Sequence, residues 1–151
     1  MTGTGYVGPT TNTEAVAYPA AVAGTRAFAL TATDGTDNST STITYTFVNR
    51  RFWGVSTKAS GYTEADVEGL AGTELSNSGS KSFSSTTAAG EYIIWASRTA
   101  LGTRTFTVGG FEGGFQAPET VSITNASGFT ENYYVYRSTN SGLGTVNVVV
   151  S

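Results

Sequence analysis

Residues 130–151 read TENYYVYRSTNSGLGTVNVVVS. Tyr133–Arg137 is a short aromatic run, a Ser/Thr/Asn/Gly segment follows, and Val146, Val148 and Val150 then share one face by the two-residue period of a strand. The pattern predicts a closing β-hairpin, with the aromatic strand paired to the valine strand and the valine face buried. Tyr133, Tyr134 and Tyr136 cannot all point to one side of a strand, so at least one ring lies outside the core set by its neighbours. Exposed tyrosines on strands hold sugars or a partner subunit through an apolar body and a polar tip. Tyr133, Tyr134 and Tyr136, with Trp95, are therefore the candidates for subunit or glycan contact.

The same alternation recurs upstream. In Thr25–Thr33 (TRAFALTAT) Phe28, Leu30 and Ala32 fall on one face, and in Thr40–Val48 (TSTITYTFV) Ile43, Tyr45 and Phe47 point inward against threonines. Asp34 and Gly35 begin the turn between them, which predicts a second hairpin. Two strands alone are marginal, so this hairpin needs a partner in the chain or in a neighbour. Residues 1–24 contain Pro9 and Pro19 and read as an extended arm with a short edge strand around Glu14–Tyr18.

Asn49–Thr57 reads as a junction anchored by Phe52 and Trp53. Thr63–Leu70 is the one convincing helical signal: Thr63 serves as N-cap with Asp66 three residues on, Glu64 and Asp66 suit the positive helix start, and Gly69 or Gly72 ends it. Val67, Leu70 and Leu75 are its expected buried contacts. Short strands follow at Ser82–Thr86, Glu91–Ser97, Arg104–Val108 and Glu119–Thr124, separated by Gly, Asn and Ser turns. The fold class is all-β, an Ig-like β-sandwich or small barrel with one short helix near residues 63–70. The expected organisation is an arm (1–24), a partial Ig-like hairpin unit (25–49) and a β-rich C-terminal module (50–151).

The chain has 151 residues, enough for one domain or two small ones. Charged residues make up 13%, about half the usual ~25%, which suits a subunit lying among neighbours. Net charge is −3 and only Arg50 and Arg51 are adjacent cations, so no basic stripe exists to neutralise phosphates and nucleic acid is not an expected partner. Cysteine is absent, which removes disulfides, thiolate chemistry and cysteine-ligated metal. No secretory signal pattern and no apolar run of membrane-spanning length occur, so a soluble chain without membrane contact is expected.

Histidine is also absent, and with it the commonest general base and metal ligand. A serine nucleophile would need Lys58 or Lys81 as base, in a local context that the sequence does not supply. Glu64 and Glu68 share a helix face at i,i+4, but a glycosidase needs one carboxyl desolvated, and a solvated helix face is the reading here. Asp34–Asn38 offers hard oxygens without the spacing of a calcium loop, and Asp, Gly and Asn are what a hairpin turn demands. Asn38-Ser-Thr and Asn125-Ala-Ser match the N-glycosylation pattern, which matters only in a secretory host. No catalytic residue, metal ligand or cofactor is assigned.

NRRFWGVS, DVEGL, TELS, GEYIIWAS, TFTVGGFEGGF, TVSITNASGFTENYYVYRSTN and GTVNVVVS together resemble the C-terminal module of tailed-bacteriophage virion structural proteins, the fibre, tail and capsid-associated proteins. TRAFALTATDGTDNSTSTITYTFVNR resembles the end of the Ig-like domain that precedes that module in longer members. The likeness spans about residues 25–151 and is most specific at VGGF and VSITNASGFTENYYVYRS. The first strands of the Ig-like unit are missing or replaced by residues 1–24, so the arm or a neighbouring chain would complete it. The resemblance implies a non-enzymatic virion protein, assembled in the bacterial host cytoplasm. It acts as a capsid decoration or head-fibre subunit, a homo-oligomer with a trimer as the candidate state, among the major capsid protein or tail and fibre proteins. The alternative it implies is a tail-fibre or baseplate module that binds a host surface glycan.

Overall fold

The computed structural model describes residues 24–33, 36–125 and 128–151. The arm with its Glu14–Tyr18 edge strand and the Asp34–Gly35 turn lie outside the described residues, apart from Gly24, which opens the first strand.

The chain is an all-β sandwich with one small helix. Its strands are β1 (Gly24–Thr33), β2 (Asn38–Phe47), β3 (Arg50–Ser56), β4 (Gly72–Leu75), β5 (Lys81–Thr87), β6 (Tyr92–Arg98), β7 (Phe106–Val108), β8 (Phe111–Glu112), β9 (Glu119–Thr124), β10 (Thr130–Arg137) and β11 (Gly144–Val150). Helix α1 covers Glu64–Glu68, and a 3-10 turn covers Thr99–Leu101. One antiparallel sheet runs β4-β3-β6-β10-β9 and the other β5-β11-β7-β8, while β1 and β2 pair with each other in a separate two-stranded sheet.

The five-stranded sheet is covered on both faces. On one side Phe52, Ile94, Ala96, Val121, Ile123, Tyr133 and Val135 pack under Tyr62, Val67 and Leu70 from the helix and its flanks. On the other, Ile93, Trp95 and Tyr136 meet Phe83, Phe106, Val148 and Val150 of the four-stranded sheet. Successive residues of a strand point to opposite faces, so the middle strand β6, clothed on both, buries Ile93 through Ser97 without a break. The β9 and β11 patterns keep the clean alternation of strands covered on one side only.

Helix α1 begins as expected. Thr63 Oγ1 accepts from the Asp66 amide while Asp66 Oδ2 accepts from the Thr63 amide, a reciprocal capping box. Gly69 is its C-cap.

Four expectations are corrected. First, residues 130–151 are not a hairpin. β10 pairs with β6 and β9, and β11 pairs with β5 and β7, so the chain crosses from one sheet to the other between Arg137 and Gly144. The physical reason is that both strands carry apolar faces: side by side they would extend one sheet, whereas in opposite sheets Tyr136 faces the valines across the core. Buried Ser138 and the positive-φ Gly142 and Gly144 shape the crossing. The burial of Val148 and Val150 itself holds. Second, the Asn49–Thr57 junction contains a full strand, β3, paired to both β4 and β6 and placing Phe52 and Trp53 on opposite faces. Third, Leu75 is 63% exposed: β4 is an edge strand, and in its alternating pattern Leu75 falls with Thr73 on the exposed positions. Fourth, Ile43 is 55% exposed, since no other named strand covers that face of β2. The inward placement of Tyr45 and Phe47 lies outside the described side chains.

Candidate functional site

Of the four aromatic candidates, Trp95 is 0% exposed, Tyr136 2% and Tyr133 5%. This corrects the expectation that they are available for contact. A strand in a sheet covered on both faces buries both of its sides, and β6 and β10 are such strands. Trp95 stacks on Phe83 at 5.8 Å and on Trp53 at 6.3 Å between ring centroids, with the Arg51 guanidinium 5.7 Å from its own ring. Tyr133 sets its ring edge-on to Phe52 at 5.8 Å. Tyr136 packs on Phe106 at 5.0 Å and its hydroxyl accepts from the Arg104 amide. Only Tyr134 keeps surface, lying half-buried at the margin of the second core and edge-on to Tyr136.

Burial pushes the Tyr133 hydroxyl up to about 12, with Glu131 adding to the effect, and does the same for Tyr62. Tyr136 is raised as well, again chiefly by burial. These phenols are neutral packing groups across the ordinary pH range.

The carboxylates hold the framework. Glu74 bridges Lys81 and Arg51; the Lys81 ammonium foremost, and then the Arg51 guanidinium, lower its pKa, and Lys81 in turn sits 4.1 Å over the Trp53 ring. The Lys58 ammonium and the Thr63 cap hold the Asp66 carboxyl down at about 2. Glu64 accepts from the Thr124 amide at 2.6 Å and so ties α1 to β9. Glu119 takes the Gly61 and Tyr62 amides, Glu91 takes the Ala88 amide, and Glu131 pairs with Arg98. Glu68, the last residue of α1, is exposed, so it does not form a desolvated pair with Glu64. Among the described residues no group of three acidic, histidine or cysteine side chains is placed to hold a metal ion, and no helix is long and apolar enough to cross a membrane.

Besides Leu75, two strongly exposed apolar side chains stand out among the described residues. Ile43 projects from β2, where Ser39–Thr44 are all exposed. Phe111 is 81% exposed on β8, at the rim of the four-stranded sheet. Phe111 was not singled out above, although its place between Gly109-Gly110 and Gly113-Gly114 is the available signal: an aromatic flanked by residues without side chains has nothing beside it to pack on. A cleft of about 530 Å³ also opens at the foot of the β1–β2 hairpin, beside Asn49, Arg50 and Glu131.

Comparison with protein-family models, with curated proteins and with solved structures finds no match to this chain.

Proposed function

We propose that the chain is a non-enzymatic structural protein of a phage particle, a capsid decoration or head-fibre subunit that works as a homo-oligomer among other virion proteins. The observation that carries this reading is the β1–β2 hairpin. Its ten-residue strands form a sheet of their own, and its described side chains, Ile43 included, are exposed. A two-stranded ribbon of that length is marginal in water and gains stability when another surface covers it. Unpaired strand edges are a standard template for joining a second chain. The resemblance of residues 25–151 to phage virion modules supplies the setting, and the use of Glu64, Asp66, Glu74, Glu91, Glu119 and Glu131 as framework ties agrees with a structural role.

The test is the protein content of purified particles. Mass spectrometry of gradient-purified virions from the phage that encodes the chain is expected to find it at many copies per particle. Its absence from the particle ends the reading.

A further inference from the structure

Helix α1 has five residues and is about 7 Å long, whereas the five-stranded sheet beneath it, at ~4.8 Å per strand, is about 19 Å across. The helix leaves part of that face bare, and a cleft of about 530 Å³ opens there. Such a volume suits whole small molecules, about 300–1,000 Å³, and so has room for a phenyl ring. The apolar walls that reach solvent include Val48, 36% exposed, Leu75 and the half-buried Phe129. Leu75 lies directly opposite Arg50 in the β3–β4 ladder, so an apolar side chain and a cation stand side by side on one wall.

The complementary pair projects elsewhere on the molecule. Gly109 and Gly110, both at positive φ, form a two-residue turn between β7 and β8, the outermost strand of the four-stranded sheet. Directly after that turn stand Phe111, the most exposed of the large apolar side chains, and exposed Glu112. The Gly109 amide donates to the Asn147 carbonyl at 2.9 Å and the Gly113 amide to the Phe106 carbonyl at 2.8 Å. The tip is thus held in shape in the free chain, which lowers the entropy lost when it docks.

Charge selects the match. The ion pairs among the described residues use Arg51, Lys58, Lys81 and Arg98 with Glu74, Asp66 and Glu131, and leave Arg50 and Glu112 outside them. Of the other charges lining the cleft, Glu131 is engaged by Arg98, and Glu68 belongs to the end of α1 and not to the Leu75 wall. No residue of 106–114 lines the cleft, so the tip and the cleft of one chain do not meet.

We propose that the β7–β8 tip of one copy docks in this cleft on the next copy. The Phe111 ring rests against Leu75, Val48 and Phe129, and the Glu112 carboxylate pairs with Arg50 at the rim. Two different patches of the same chain meet, so the contact is head-to-tail and joins copies into a ring or a row. It deepens the homo-oligomer reading and rests on it only in that copies meet. The virion setting is tested on particles and this contact on the purified chain, so either can fail alone.

The experiment is sedimentation velocity of the full chain at concentrations up to about 1 mM, the weak end of specific association. The wild type is expected to self-associate, and Phe111→Ala and Leu75→Asp each to weaken association about 30-fold, the loss typical of an aromatic anchor. Both positions are exposed, and an unchanged urea midpoint confirms that the variants fold. Mixing the two variants pairs the intact tip of Leu75→Asp with the intact cleft of Phe111→Ala, and should restore a complex in one-to-one ratio. Glu112→Arg and Arg50→Glu should each weaken association, and the double variant should recover it. A monomeric wild type would leave the cleft to some other partner and overturn the proposal. It is overturned as well if association survives both apolar substitutions, if the mixture forms no complex, or if Glu112→Arg strengthens association, which would make Glu68 the partner charge.

Discussion

Ser138 and Ile93 hold each other twice: the Ile93 amide donates to Ser138 Oγ at 3.0 Å and the Ser138 amide donates to the Ile93 carbonyl at 2.8 Å. The serine hydroxyl then donates to the Asn140 carbonyl at 2.8 Å. At Ser138 the chain leaves β10 and turns toward β11 in the other sheet, so a side chain takes over where ladder pairing stops. Both residues are 0% exposed, which denies these groups water as a substitute.

Ser138→Ala should therefore lower stability by about 1–3 kcal/mol, the cost of leaving the Ile93 amide buried and unpaired. Urea unfolding checks this, and a reduced midpoint at unchanged slope is expected. Ser138→Thr retains the hydroxyl and should recover part of the loss.

Gly72 permits the Trp53 indole to lie against the β4 backbone. A Cβ built at residue 72 would stand 2.3 Å from the indole nitrogen, and the ring cannot retreat because Lys81 lies over it and Phe83 and Trp95 flank it. Gly72→Ala should cost about 1–3 kcal/mol by overpacking, measured as a lower thermal midpoint with altered tryptophan fluorescence.

Stability should fall at both pH extremes. The Asp66 carboxyl is held at about 2 against an ordinary 3.8, so its contribution is complete above 3.8 and disappears as pH drops through 2. The Tyr62 and Tyr133 phenols are raised from 10.0 to about 12, so their contribution is complete below pH 10 and is lost as pH rises through 12. Absorbance of tyrosinate should show both rings silent near pH 10, with their ionisation coinciding with loss of the folded signal.

Exposed Ile43 separates folding from association. Ile43→Asp should change the unfolding free energy of the sandwich by no more than about 0.5 kcal/mol, as surface substitutions do, while shifting the self-association equilibrium toward monomer. Sedimentation velocity reads the second effect, and an unchanged distribution would detach the hairpin from assembly.

Much of the fold was legible from local patterns. Thr63 and Asp66 announced the helix start because capping is settled within four residues, and the valine period of β11 survived because that strand is buried on one face. Features decided by distant partners were not legible. Trp95 and Tyr136 looked available because the second layer over β6 and β10 comes from β5, β7 and β11, and Tyr133 because its cover comes from helix α1 and its flanks on the opposite face, and neither covering element leaves a mark near those residues. β3 read as a junction for the same reason, since its partners are β4 and β6. The crossing at Ser138 resembled a hairpin loop because Ser, Asn and Gly serve both purposes. The cleft beside Asn49 depends on how far a five-residue helix extends over its sheet, which no local pattern records.

The central claim is incorporation into a particle surface, and comparing maps of particles assembled with and without the chain tests it most directly. The account predicts difference density on the outside of the head or its fibres, repeated at symmetry-related positions and large enough for the β-sandwich with its hairpin against a neighbour. Superimposable maps, with particles indistinguishable in the presence and absence of the chain, would contradict it.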